Sequence, residues 1–261
     1  MISNLMMSTL QRILIAGALL FTANSTCWAG LIKGDIVKFD RGTFGGGSGG
    51  GEFAMHKLVT SSSGESWQQM DVATFCLEFN EHIVLGQRLV VGAISDRAVL
   101  GGISGGSGFG DPLSAQTQFL YAAYASGQLS TAVGYTPSNA WADSMQEAVW
   151  SLEGEVTSLT KLHSQTLINY ANTYSGPLLS NVFALNLFKS NVPIAALNAF
   201  DPSNRATWDA VAGYHRQDQL YYVAPSGSGA GNIPEPASLA LWLTASLIAS
   251  FSRFRRPGAT G

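Results

Sequence analysis

Polar and apolar positions divide the chain into stretches of period two and stretches of helical period. Leu31 to Phe39 and Phe53 to Thr60 read as strands. Ala73 to Phe79 alternates strictly: Ala73, Phe75, Leu77 and Phe79 share one face, while Thr74, Cys76 and Glu78 share the other. Cys76 is therefore expected to point away from the apolar side. Helical spacing follows. Asp111-Pro112 supplies an N-cap and a first-turn proline, and Gly127 a stop, for one helix. A second covers Trp141 to Glu153, with Trp141, Met145, Ala148, Val149 and Leu152 on one stripe. A third runs from Leu159 to Tyr174 and ends at Gly176-Pro177. Strand character returns at Val182 to Phe188 and Gln219 to Val223. The pattern predicts an α+β domain in which strands at both ends form a sandwich or barrel around a helical insertion.

The two ends of the chain differ from this middle. Arg12, an apolar run from Ile13 to Phe21 and the small-residue exit Cys27-Trp28-Ala29 read as a secretory signal peptide over residues 1–29, with Ala29 the last residue removed. Asn24-Ser25-Thr26 does not make a lipoprotein box of the cysteine that follows. Residues 30–224 form the expected extracellular domain and 225–232 a Gly/Ser linker. The tail over 233–256 has three parts: Pro234-Glu235-Pro236, an apolar stretch from Ala237 to Phe251, and the basic cluster Arg253, Arg255 and Arg256. A fifteen-residue helix spans only about 22 Å against a hydrocarbon core of roughly 30 Å, which makes a marginal permanent anchor, and the arginines favour the cytoplasmic side. This tail resembles the PEP-CTERM sorting signal of Gram-negative bacteria. The resemblance implies recognition and processing by an integral-membrane exosortase, a transient stay in the inner membrane, and delivery to the cell surface or an extracellular matrix. A plain tail anchor has no reason to carry Pro-Glu-Pro.

Composition narrows the partners. The chain has 14 basic and 17 acidic residues; leaving out Arg12, Arg253, Arg255, Arg256 and Glu235 gives the exported region 10 and 16, a net charge of −6. Nucleic acid is an unsuitable partner for such a surface. Neither glycine-rich stretch, Gly42 to Gly51 or Gly101 to Gly110, ends in the Gly-Lys-Ser/Thr of a phosphate loop. His56, His82, His163 and His215 show no metal-ligand spacing, so no metal or other cofactor is expected.

One cysteine survives export, Cys76, and an unpaired thiol in an exported protein needs a chemical explanation. Seventy residues later stands Met145-Gln146-Glu147-Ala148-Val149-Trp150. A thiol and a glutamine carboxamide held together can condense, with loss of ammonia, into an internal thioester. Gln146 lies on the flank of the helix stripe, about 60° beyond Val149, within reach of a neighbouring strand. Ser144 and Glu147 also match a capping box, which would put Gln146 in a first turn with its carbonyl near free N–H groups. Phe75-Cys76, the Leu120-Tyr121 to Tyr124 helix segment and the Gln146-x-x-Val149-Trp150 run resemble, in order and spacing, the thioester domains of bacterial surface adhesins over about Asp71 to Tyr174. That family has Thr where this chain has Met145. The resemblance implies covalent adhesion, a single acyl transfer from Gln146 to an amine of a surface or matrix partner, a lysine above all, with a polysaccharide hydroxyl as the other class of nucleophile. Phe75, Glu147, Val149 and Trp150 are expected to line the site, with Phe75 and Trp150 shielding the bond from water.

Two other readings use the same residues. Cysteine and glutamine could be incidental in a non-covalent structural protein of an exopolysaccharide or biofilm matrix. Alternatively Cys76 could be an enzyme nucleophile with His163 or His215 as base. Glu78 and Glu81 form either a carboxylate site or a solvated strand end.

Overall fold

The computed structural model describes residues 30–45, 50–99 and 110–224. The segments expected to be a signal peptide, a linker and a sorting tail lie outside these residues. From Ile32 onward the chain forms β1 (Ile36–Gly45), β2 (Gly51–Ser61), β3 (Gly64–Gln69), β4 (Leu89–Ser95), β5 (Arg97–Ala98) and β6 (Asp111–Pro112). Helices α1 (Ala115–Ala125), α2 (Leu129–Val133), α3 (Asn139–Leu152) and α4 (Ser164–Ala171) follow, then β7 (Val182–Lys189), α5 (Ile194–Ala199) and β8 (His215–Tyr222). The protein is α+β, as the periodicity predicts: strands at both ends, helices between.

Six strands make one antiparallel sheet in the order β3-β2-β1-β4-β7-β8. The stretch expected as a strand at Ala73 to Phe79 pairs only at two isolated bridges, Thr74 with Phe53 of β2 and Cys76 with Gln219 of β8. Those bridges tie opposite regions of the sheet together and close it into a ring, which is how the expected sandwich or barrel is realised. Closure removes an open edge at β8.

The helices fill one side of this ring. Leu120, Tyr121, Met145, Ala148, Val149 and Leu167 pack with Phe75, Leu77, Val182, Ala184 and Leu220 in one core. A second core gathers Val90, Phe188, Leu197, Phe200, Trp208 and Val211. Strand β7 serves both, with Val182 and Ala184 in the first core and Phe188 in the second, and the pairing is irregular on each side of it: β4 carries an extra residue at Gly92, and β8 one between Arg216 and Gln219. Asn186, opposite these irregularities, donates to Asp218 at 2.8 Å and to the Arg97 carbonyl.

Several element limits differ from expectation. Asp111-Pro112 does not open α1: it pairs with Arg97-Ala98, and the cap is Ser114, whose hydroxyl accepts from Thr117 N–H. Helix α3 starts nearly two turns before the alternative capping box, at N-cap Ser138, and Ser144 is interior, its hydroxyl bonded to the Ala140 carbonyl. Helix α4 is shorter than Leu159 to Tyr174, because Glu147 holds the preceding loop. Its carboxylate accepts from Thr160 N–H, Lys161 N–H and the hydroxyls of Thr160 and Ser164. Among the described residues no helix is long and apolar enough to cross a membrane.

Candidate functional site

The segment that closes the ring carries Cys76. It is fixed at four points: Phe53 and Thr74 exchange both backbone hydrogen bonds, Leu77 N–H donates to the Asp218 carbonyl, and Leu220 N–H donates to the Phe75 carbonyl. Tyr121 of α1 adds a hydrogen bond from its hydroxyl to the Ala73 carbonyl at 3.0 Å. Cys76 thus sits in the wall between β2 and β8. It is only 2 % exposed, with Gln146 of α3 against its backbone and Gln219 of β8 against its sulfur.

Gln146 is the residue that covers it. Its carboxamide nitrogen donates to the Cys76 carbonyl at 2.8 Å, and its carboxamide oxygen accepts from Cys76 N–H at 2.9 Å. The side chain thus pairs with the Cys76 backbone as a neighbouring strand would, and lies against the residue that bears the thiol. The sulfur has its own partner, Gln219 Nε2 at 3.2 Å, from the residue directly across the bridge. Gln146 is fully buried, since the β1–β2 hairpin lies over the flank of α3. At Gly50, φ +99°, a Cβ would stand 2.6 Å from Gln146 Cγ and 2.9 Å from Trp150 Cη2. Only glycine lets this backbone approach so closely.

A cavity of about 460 Å³ reaches Cys76. Trp150 and Phe79 stand in its wall edge to face, 4.9 Å apart, with Glu81, His82 and Gln217 nearby. This alters the expected lining. Trp150 is there, but Phe75 lies beneath in the core, edge-on to Tyr124, and Val149 is core as well. Glu147, on α3, binds the loop before α4, as described above, and does not line this cavity. The aromatic pair in the wall of this cavity is Phe79 with Trp150. A second cavity, about 410 Å³, is lined by Tyr124, Tyr135 and Glu52; Glu52 accepts from the Tyr124 hydroxyl at 2.6 Å and also lines the Cys76 cavity. It holds neither member of the cysteine–glutamine pair, so the chemistry points to the Cys76 cavity.

Charges around the sulfur are acidic. Burial pushes the Cys76 thiol well above its ordinary value; Gln219 works against the rise, while Glu78 and Glu81 add to it. Glu78 is no solvated strand end: it is 2 % exposed, one carboxyl oxygen accepts from Asp218 N–H, and the other has no hydrogen-bond partner among the described residues. Burial, with Asp218 and Glu81 beside it, raises its value strongly. Glu81 is half-buried, and desolvation and Glu155 hold it at about 7 in spite of Arg216.

The two histidines considered as a base are engaged elsewhere. His163 stacks on Trp141 at 3.8 Å, and His215 packs against Phe188 and Phe200. His82 is the histidine that lines the Cys76 cavity. Sequence reasoning missed Gln219 and the anchoring role of Tyr121. The pattern gives no signal for either, because both depend on which strand and helix lie against the Cys76 segment.

No protein-family model, no curated protein and no solved structure matches this chain.

Proposed function

We propose that this chain is an exported surface or matrix protein that captures a partner covalently through a thioester between Cys76 and Gln146. The observation that carries the reading is the pair of hydrogen bonds that dock the Gln146 carboxamide on the Cys76 backbone. Condensation joins Sγ to the Gln146 carboxamide carbon and releases Nε2 as ammonia, with the thiol proton leaving on it. The carbonyl oxygen keeps Cys76 N–H as its donor, which polarises the carbonyl and stabilises negative charge on that oxygen during attack. Helix α3 cannot serve in that role, because Gln146 lies well inside it. An incoming amine opens the bond once, leaving a secondary amide on Gln146 and a free thiol on Cys76. This is capture without turnover. Phe79 and Trp150 restrict water at the junction.

The signal peptide and the Pro234-Glu235-Pro236 tail with its arginine cluster support export, exosortase processing and display outside the cell. They support a passive matrix protein equally, and the burial of the thiol favours that second reading. Intact mass of the purified exported region, before and after methylamine and beside Cys76→Ala, separates them. Covalent capture gives a mass short by one ammonia, recovered as a methylamine adduct with one new thiol and absent in the control. A full mass with a thiol that titrates in denaturant from the start refutes it.

A further inference from the structure

Acyl transfer at this site needs a proton carrier. With its thiol value raised by burial, Cys76 is a poor leaving group as a bare thiolate, so sulfur has to be protonated as the bond to the Gln146 carbonyl breaks. The attacking nitrogen has the converse need, since it must shed a proton as its bond to carbon forms. One group able to do both has to face the space where the nucleophile arrives.

Glu81 stands there. It lines the cavity with Cys76 and Trp150, on the segment that leads away from Cys76 past Phe79. The charged or titratable groups around it are Glu78 and Asp218, which feel its charge, Glu155 and Arg216, which act on its own, and Arg41, Glu52 and His82 in the cavity wall. Glu78 is nearer the sulfur's own strand position but closed off from solvent, and its carboxyl is bound to β8. His82 is exposed.

We infer that Glu81 is the proton carrier of the Cys76–Gln146 acyl transfer, taking the proton that the attacking amine sheds and delivering it to sulfur. The inference rests on the thioester reading. A neutral primary amine attacks the Gln146 carbonyl carbon; the C–N bond forms and the C–S bond breaks with its electron pair on sulfur. One N–H proton passes to the Glu81 carboxylate and from it to Sγ, so the products are a secondary amide and a thiol. Nothing is oxidised or reduced. Formation of the bond uses the same carrier in the opposite sense, from thiol to departing ammonia.

Because Glu81 must be ionised to accept the proton, the opening rate follows its titration, about 7. The test uses the exported region and 2,2,2-trifluoroethylamine, a base weak enough to stay neutral over the range followed, about pH 6.5 to 9. Mass spectrometry follows both bond formation after refolding and opening by the amine. The unsubstituted protein is expected to open faster as pH rises, with a midpoint near 7, then level off. Glu81→Gln is expected to melt no lower than it, to form and open the bond about 100-fold more slowly, and to lose the midpoint; Glu81→Asp restores part of both. Equal rates and an unchanged midpoint in Glu81→Gln overturn the inference, as does a midpoint that disappears in His82→Gln instead. If the unsubstituted protein shows no ammonia deficit, the thioester reading itself fails and the inference falls with it.

Discussion

Replacing Gly50 by alanine tests how closely the hairpin clamps the glutamine of the pair. Two costs add. The first is conformational: φ at Gly50 is +99°, where an L-residue is strained by roughly 1–2 kcal/mol. The second is steric: the new methyl would lie 2.6 Å from Gln146 Cγ and 2.9 Å from Trp150 Cη2, against the roughly 3.5–4.0 Å of an ordinary carbon contact. Relieving it means moving the hairpin or the two side chains, an overpacking cost of about 1–3 kcal/mol. The sum is about 2–5 kcal/mol. Gly64 supplies the control, because its φ is +115° and nothing lies within 4 Å of a built Cβ. Gly64→Ala therefore carries the conformational cost alone. In a domain of this size each kcal/mol moves Tm by about 2–4 °C, so Gly64→Ala is expected to lose about 2–8 °C and Gly50→Ala about 4–20 °C. Mass spectrometry on the same samples should show a lower fraction of Gly50→Ala lacking ammonia, since Gln146 is displaced from the Cys76 backbone. Equal melting points for the two variants, with equal bond yield, would refute the claim that Gly50 presses on the reacting side chain.

Glu147→Ala orphans the donors of Thr160, Lys161 and Ser164, so it should cost about 2–4 kcal/mol and lower Tm by about 4–16 °C without changing the thiol count after methylamine. A loss of bond formation at unchanged Tm would put Glu147 back in the reacting site. The buried carboxyls set the pH dependence of stability. Glu78 is raised by burial, and Asp218 and Glu81 to about 7, so the folded protein keeps protons that the unfolded chain has shed. Stability therefore falls as pH rises above the unfolded value of about 4.5. His215, lowered to about 4 by burial, works the other way, but only below about 6.5, where the unfolded imidazole gains its proton. Above that pH the carboxyls alone act, at about 1.4 kcal/mol per pH unit for each held proton, or roughly 3–5 °C. Glu78→Gln removes one of them and should raise Tm at pH 8 with a shallower decline from pH 6.5. Parallel melting curves for the two proteins across that range would contradict this account.

The α+β alternation of elements, the reach of Gln146 to a neighbouring strand and the core stripe of α3 were legible in the chain itself, because periodicity is a local property. Trp141, Met145, Ala148 and Val149 are core for the reason their spacing predicts. What spacing could not say was what lies on the other flank of that helix. It places Gln146 on the flank, within reach of a strand, and the β1–β2 hairpin that covers that side and buries it completely has no signal there. The same limit explains Cys76: alternation assigns it to the face opposite Phe75, but its burial depends on Gln146 of α3 and Gln219 of β8, which arrive from seventy residues away and more. Gln219 as partner of the sulfur, Phe79 in place of Phe75 beside Trp150, and the acidic setting of Glu78 and Glu81 all follow from closure of the sheet between β2 and β8. Which residues can react is written in their side chains; which of them meet, and in how dry a place, is fixed only when distant segments pack, since burial and hydrogen-bond pairing are properties of the assembled neighbourhood.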